Sequence, residues 1–488
     1  MAKKQDKKSS KPTQSVSTPL KSAHPTKPTK TTKSTSKAVI SAPVKAKKAP
    51  KPPKNVKSSH HGESSSHTVE SGKIDMLSTK VGGKKSGKKE IKLPSNIYKG
   101  HVSCVRTAKH YGFVPFEFSV EKSDTAKAKN LKDKHTKTNT GDILNFDNFM
   151  EEKVSILRNY IDKNMSEIHQ PPTICYSGPL KGNSLSDKTK EHVFNIDSIG
   201  NSKSIADAVV IETAYVILKE NHDMDQFIVE INSVGDKDSF ARFTREFVQY
   251  YKKHLPELPA DLRQIFKKDP FLFVGSEHEA LIPFRDEAPK PIDFLSEDSR
   301  AHFREVLEYL ESLGLPYFIN EALVGTRNCS TGTVFQIIGI EERAKGEKRT
   351  TLAIGERYNS VARKAFGKKE IPAIGAHILV DDKEAKKSDT VIMEEDIKFY
   401  FIHLGYEAKL RSLSILELLR TAKISVHQAL AKDKITVQLQ AAEKLAVPYI
   451  LLVGQKEAIE NSVTVRHVET RIQETVPVAA LIEYLKKL

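Results

Sequence analysis

The chain has 488 residues and a net charge of +16, a length that suits two to four domains. No apolar run is long enough to span a membrane, and the first residues lack the apolar core of a secretory leader. Three widely spaced cysteines, Cys104, Cys175 and Cys329, argue against a disulfide framework or a zinc site and fit a reducing, cytoplasmic setting.

The charge is unevenly placed. Residues 1–90 hold 22 Lys, no Arg and 5 acidic residues, a net +17, which leaves residues 91–488 at −1. The same stretch has no Phe, Tyr or Trp. It cannot bury enough apolar surface to offset ordering its backbone, so residues 1–95 are expected to be a disordered tail. Lysines in that density bind polyanions by counterion release, with little sequence preference.

Past Ile97 the pattern becomes that of a folded protein. HYGFVPFEF (His110–Phe118) precedes the charged helix start FMEEKVSILR (Phe149–Arg158). A short apolar strand, Cys175–Leu180, ends in Gly178-Pro179, and the loop SLSDKTKEHVF leads to the strand FNIDSIG (Phe194–Gly200). A helix over Ile205–Leu218 and the strand VEINSVGD (Val229–Asp236) follow. The next helix carries Phe240, Phe243, Phe247 and Tyr250 on one face. Phe303, Val306, Leu307, Leu310 and Leu313 make one apolar stripe of a further helix. Ser296 is its expected cap, and Gly314 with Pro316 its expected stop. Tyr317–Asn320 and Thr333–Ile338 read as strands on either side of a polar turn. Residues 383–396 are a charged linker. From Phe399 the pattern alternates strand and helix, which implies a mainly parallel sheet covered on both sides. In its second helix Ile435, Leu439, Ala442 and Leu445 line one face.

Several of these segments, in this order, resemble the histidyl-tRNA synthetase family. HFREVLEYLESLGLPYFINEALV followed by TGTVFQI resembles the segment that carries the family's histidine-binding signature. VEINSVGD matches I-N-x-x-G-D, Asp207-Ala208 matches D-A-E, and TLAIGERYNS resembles the second signature, G-G-R-Y-D. IPAIGAHILVDDKEA resembles motif 3. DKITVQLQAAEKLAVPYILLVGQKEAIENSVTVRHVETRIQETVP is similar to the anticodon-binding domain. The resemblance runs over about residues 97–488. It implies an α+β class II aminoacyl-tRNA synthetase-like core, an antiparallel sheet flanked by helices, over 97–383. Residues 233–292 would be a helical insertion, and 396–488 a C-terminal α/β anticodon-binding-like domain. A homodimer is implied through the first class II motif.

The resemblance keeps the frame and loses the chemistry. The family's signature loop reads L-V-R-G-L-D-Y-Y; here Gly325 stands at the catalytic arginine, in Leu323-Val324-Gly325-Thr326-Arg327-Asn328-Cys329-Ser330. The motif 2 F-R-x-E positions read Lys181, Gly182, Asn183 and Ser184, and Asp382 replaces the motif 3 arginine. An arginine does such work because its planar fork grips phosphate oxygens and stays charged. Lys188 and Lys190 are only point charges, and an aspartate repels a triphosphate. Glu151 matches the glutamate that holds the histidine amino group, although taken alone it is one acid in a charged helix start. Gly355, Arg357 and Tyr358 survive in the second signature; Glu356 and Asn359 do not match it. Glu151, Arg357 and Tyr358 are thus candidates for a relic amino-acid pocket. Lys434, Gln438, Arg466, Arg471 and Gln473 are the candidate RNA-binding donors. These readings imply a non-catalytic, dimeric tRNA- or RNA-binding or regulatory protein needing no cofactor or metal. The alternatives are a divergent, active histidine–tRNA ligase using ATP and Mg, or a nucleic-acid scaffold binding through its lysine tail.

Overall fold

A computed structural model describes residues 90–92, 102–132, 144, 146–167, 173–177, 191–344, 346–381, 391–393 and 397–488. The lysine-rich tail, apart from residues 90–92 at its end, lies outside the described residues. So do Gly178-Pro179, the motif 2 positions around Gly182, and Asp382 at motif 3.

In chain order the strands and helices of the first part are β1 (Glu90–Lys92), α1 (Val102–His110), β2 (Val114–Pro115), α2 (Lys122–Leu131), α3 (Met150–Asp162), β3 (Thr173–Ser177), β4 (Glu191–Ile199), α4 (Ser204–Asn221), β5 (Gln226–Ser233), α5 (Lys237–His254), α6 (Ala260–Lys268), α7 (Ile282–Arg285), α8 (Glu297–Leu313), β6 (Tyr317–Ile319), β7 (Thr333–Arg343), β8 (Gly346–Arg357), α9 (Ser360–Phe366), β9 (Ala373–Asp381) and β10 (Val391–Met393). Eight strands form one sheet in the order β2-β3-β4-β9-β8-β7-β5-β6. Its middle is antiparallel, and only the outer pairs β2·β3 and β5·β6 are parallel. This is the class II synthetase-like arrangement of a sheet flanked by helices. Thr333–Ile338 runs inside it, between β5 and β8.

The core follows from composition. Helix α4, SIADAVVIETAYVILKEN, is apolar nearly all round, and such a helix must be covered on every side. It is buried from Ser204 through Ala214 and shares one core with β4, β9, α1 and α8. Helix α8 follows its predicted signals: Ser296 Oγ accepts from Ser299 N at 3.3 Å, and Gly314 closes the helix at φ 68°. Phe303, Val306 and Leu310 of its stripe are buried. Helices α5 and α6 bury Phe243, Phe247, Tyr251, Leu262 and Phe266 in a separate aromatic core, with Tyr251 inward where the sequence pointed to Tyr250. At the ends of this first part, β1, inside the stretch expected to be a disordered tail, pairs antiparallel with β10, inside the stretch expected to be a linker.

The second part comprises β11 (Phe399–His403), α10 (Tyr406–Thr421), β12 (Val426–Gln428), α11 (Ile435–Leu445), β13 (Tyr449–Val453), α12 (Gln455–Glu460), β14 (Ser462–His467), β15 (Gln473–Pro477) and α13 (Val478–Leu485). The sheet order is β12-β11-β13-β14-β15. The sheet is mixed rather than mainly parallel: β12, β11 and β13 run parallel, while β13, β14 and β15 are antiparallel. The cause is a hairpin. Strand β15 follows β14 after a short turn, and adjacent strands joined so closely must be antiparallel. Its sequence hides it, because only Val476 of QETVP is buried. Helix α11 also differs from its apolar stripe. Ile435 and Leu445 are exposed, and Gln438 and Ala442 face inward.

Polar ties join the two parts. The Tyr111 hydroxyl lies 3.0 Å from Glu212 Oε1 and 2.5 Å from Glu417 Oε2. Arg420 forks onto Glu417 and also reaches Glu220. Burial and the nearby Glu417 push Glu212 up to about 8, whereas Arg420 and Tyr111 outweigh burial and hold Glu417 below the usual carboxylate range. Gln428 Nε2 donates to Tyr111 O at 3.0 Å, and Ser312 Oγ to Leu410 O at 2.9 Å.

Leu310 is fully buried in the core that α8 shares with α4. Leu310→Ala should therefore cost about 2–5 kcal/mol of stability. Urea unfolding would measure it, and a cost below about 1 kcal/mol would show that α8 is not part of the core.

Candidate functional site

The loop between β6 and β7 is held from several sides. Asn232 Nδ2 donates to Leu323 O at 2.9 Å. Cys329 N and Ser330 N both donate to Thr326 O at 2.8 Å, closing a tight turn. Thr331 N donates to Arg357 O, and Gly332 N to Gly235 O. Within this loop Gly325 sits at φ +59°, a conformation that favours glycine. A Cβ there would collide with Ser330 Oγ and lie 2.7 Å from Val334 Cγ1 and 2.8 Å from Glu356 Oε2. The position thus excludes any side chain in this conformation.

Glu356, near the end of β8, occupies the space beside Gly325. Its Oε2 accepts from Thr326 N at 2.9 Å and from Ser330 Oγ at 2.7 Å. Its Oε1 has no hydrogen-bond partner among the described residues. Burial pushes the carboxyl up to about 8; Asp147 adds to the rise, and the bonds from Ser330 and Thr326 oppose it. The group is therefore largely protonated at neutral pH. Arg327, two residues along, cannot supply a substitute fork. It is spent on Asp269, with Nη1–Oδ1 and Nη2–Oδ2 both 2.7 Å, and it lies over Phe271 at 4.9 Å. Gly325, Glu356, Arg327, Asp269 and Asp147 all line one pocket of about 320 Å³.

Beside this pocket, the face of the sheet under α3 is closed by a buried ion pair. Lys153 Nζ lies 2.6 Å from Asp197 Oδ1, both fully buried. Tyr358 Oη donates to the same oxygen at 2.7 Å. The rings of Phe146, Tyr176 and Tyr358 surround the ammonium at 5.3–5.9 Å. Burial lowers Lys153 and raises Asp197, and their attraction opposes both shifts. His377 stacks on Phe149 at 3.7 Å, with Nδ1 2.6 Å from Asn195 Oδ1. Burial, and then Lys153, hold its ring well below the ordinary histidine range, so it is neutral. Gly375 admits no side chain, because a Cβ would strike Asp197 and lie 2.8 Å from Lys153 Nζ.

The three residues expected to form a relic pocket are not brought together. Glu151 is half-buried on the outer side of α3, where it accepts from Thr125 Oγ1 at 3.2 Å. Its neighbour Glu152 is the one that turns inward. Arg357 faces α4: Nε lies 2.8 Å and 3.0 Å from the two Asp207 oxygens, and the guanidinium also donates to the carbonyls of Asn201 and Lys203. Burial would raise Asp207, but Arg357 and His302 outweigh it and hold the carboxyl well below the usual range. Tyr358 points the other way, to Asp197. The alternation follows from the pleat, which sends successive side chains to opposite faces.

Of the five expected RNA-binding donors, Gln438 is unavailable. It is fully buried, accepting from His403 N at 3.1 Å and donating to His403 O at 2.9 Å. It completes the edge of the helix–sheet packing. Arg466, Arg471 and Gln473 are exposed and share the β14–β15 hairpin. Arg466 pairs directly opposite Gln473, and Arg471 takes φ +61° in the turn, beside the exposed Ile472. Lys434 is also exposed, at the start of α11 and so apart from that hairpin in sequence. Among the described residues no group of three or more His, Cys, Asp and Glu is placed to hold a metal, and Cys104, Cys175 and Cys329 are buried and form no disulfide. Sequence reasoning passed over Glu356, Asp197 and His377 as site residues. The available signal was an acid or histidine inside apolar strands: FNIDSIG, TLAIGER, AIGAHILV.

The family model described as "Anticodon binding domain" matches residues 398–488. The chain is 26% identical over 348 residues to the histidine–tRNA ligase of Lysinibacillus sphaericus, covering 69% of this chain and 81% of that one. It is 28% identical over 342 residues to the histidine–tRNA ligase of Listeria innocua, covering 69% and 80%. A solved structure of apo S. aureus histidyl-tRNA synthetase aligns over 81% of this chain and 100% of its own, with 22% identity and a TM-score of 0.44.

The raised Glu356 carboxyl predicts a pH signature. The folded state keeps the proton from the ordinary value of 4.5 up to about 8, while the unfolded state releases it. Stability from this group is therefore lost as pH rises through that window. Glu356→Gln removes the dependence. The stability difference, wild type minus variant, should fall as pH rises from about 5 to about 8 in urea titrations; a flat difference would show that Glu356 is ionised throughout.

Proposed function

The chain belongs to the histidyl-tRNA synthetase family, and within it we propose a non-catalytic member, a dimeric tRNA- or RNA-binding or regulatory protein of the cytoplasm. The observation that carries this reading is the Gly325–Glu356 contact. Adenylate formation builds negative charge on phosphate, and fixed positive charge is the usual dominant source of its stabilisation. At the signature arginine position there is no side chain and no room for one, and the adjacent group is a carboxyl. Protonated, Glu356 offers no charge; ionised, it repels the anion. Gly182 and Asp382 at the motif 2 and motif 3 arginine positions support the same conclusion from sequence alone. The curated relatives are ligases by name, so an active ligase using ATP and Mg is the competing reading. The domain scheme proposed is a lysine-rich tail over 1–95 that binds polyanions, a synthetase-like domain over 97–383 with its insertion at 233–292, and an RNA-binding domain over 396–488.

Purified protein should show no histidine-dependent exchange of pyrophosphate with ATP. Robust exchange would overturn the non-catalytic reading and put the ligase in its place. Gly325→Arg alone should not create activity and should destabilise the fold, because the new side chain meets Ser330, Val334 and Glu356. Combining it with Glu356→Gly should recover part of that stability.

For RNA, the exposed hairpin is the proposed surface. Arg466→Glu with Arg471→Glu in the full chain should weaken tRNA binding by about tenfold or more at a salt concentration that suppresses the tail's contribution. Gln438 is excluded from this surface by its burial. Unchanged affinity in a filter-binding assay would remove the hairpin from the RNA site.

A further inference from the structure

The pocket beside the central loop carries a chemistry of its own. Its walls are apolar and aromatic, including Phe146, Phe271, Phe335, Val334 and Ile354. At about 320 Å³ it has the size of a small-molecule site. Among the described residues its charged lining is Asp147, Asp269, Glu356 and Arg327. Arg327 and Asp269 hold each other through two 2.7 Å bonds, which leaves the Glu356 carboxyl as the group facing a ligand. Glu356 is 3% exposed, and its Oε1 has no hydrogen-bond partner among the described residues. A buried acceptor left in that state costs about 1–3 kcal/mol, which a ligand donor would recover.

We propose that this pocket binds a small organic cation, an ammonium on an aromatic or alkyl body, with Glu356 Oε1 as the anchor of the ammonium and the phenylalanines as the seat of the body. An ammonium–carboxylate bond is charge-assisted and about twice as strong as a neutral one. The same lining disfavours ligands bearing a carboxylate or phosphate, which would meet Glu356 while Arg327 is held by Asp269. The inference rests on the non-catalytic reading to that extent, since a site that must hold a triphosphate could not keep this lining.

The groups facing Glu356 are Asp147 from the turn before α3, the buried Lys153 of α3, Ser330 and Thr326 from the loop, and the Arg327–Asp269 pair that shares the pocket lining. Bringing an ammonium to this set favours the ionised form of Glu356, so amine binding releases a proton when the carboxyl starts protonated. Affinity should therefore rise between about pH 6 and about pH 8.

The test is titration calorimetry on the full chain with phenethylamine, 2-phenylethanol and 3-phenylpropionate, three probes of nearly one shape. Phenethylamine should bind at least tenfold more tightly than the alcohol, and the acid should not bind. Glu356→Gln should weaken phenethylamine at least tenfold without unfolding the protein, and its residual affinity should lose the pH dependence. Asp147→Asn, as a second variant, should weaken the amine less. Absence of amine binding, equal binding of the acid, or unchanged affinity in Glu356→Gln would each overturn the proposal. Amine binding fails independently of the pyrophosphate exchange assay. No amine binding with no exchange removes this inference alone, and no amine binding with robust exchange removes the non-catalytic reading as well.

Discussion

The fork of Arg357 onto Asp207 sets the geometry of everything around it. Both groups are almost wholly buried, and the arginine also satisfies two carbonyls at the entry to α4. An ion pair in this position gives little net stability but is costly to break, about 3–5 kcal/mol when one partner is removed. With Arg357 fixed towards α4, the residues on either side of it must point to the opposite face. Glu356 therefore meets the loop at Gly325, and Tyr358 meets Asp197. A surviving signature residue thus orients the two neighbours that define the altered site.

The altered site is internally consistent, which distinguishes it from random decay. An acid where the family pattern has glycine, and a glycine where it has arginine, fit each other sterically. Likewise Lys153 finds Asp197 as its partner, and Gly375 leaves both the room they need. Unpaired, either buried charge would be strongly destabilising. Paired, and ringed by Phe146, Tyr176 and Tyr358, they close the face of the sheet.

Much of the frame was legible in the sequence because it rests on local signals. Ser296 and Gly314 mark α8 by their own chemistry, and the run Thr333–Ile338 reads as a strand, which lies inside the sheet. The site was less legible, since its meaning depends on which residues meet across the sheet. Glu356 was visible as a departure from a pattern, but its contact with Gly325 spans 31 positions of sequence. Arg357 and Tyr358 looked like one cluster because they are adjacent, and the pleat separates them. Gln438 looked like a surface donor because glutamine is usually exposed; its burial is explained only by the His403 backbone it satisfies. Strand β15 was missed because an edge strand with one buried residue has almost no hydrophobic period.

The order of strands in the C-terminal sheet has a consequence for how substitutions combine. Strand β12 lies against the synthetase-like part through Gln428 and Tyr111, whereas β15 is the opposite edge, four strand spacings or about 19 Å away. Substitutions on the hairpin and substitutions around Glu356 share no neighbours, and effects separated in this way add rather than interact. Each region can thus accept changes without compensation by the other. A change around Glu356 therefore places no structural demand on the surface at the far edge.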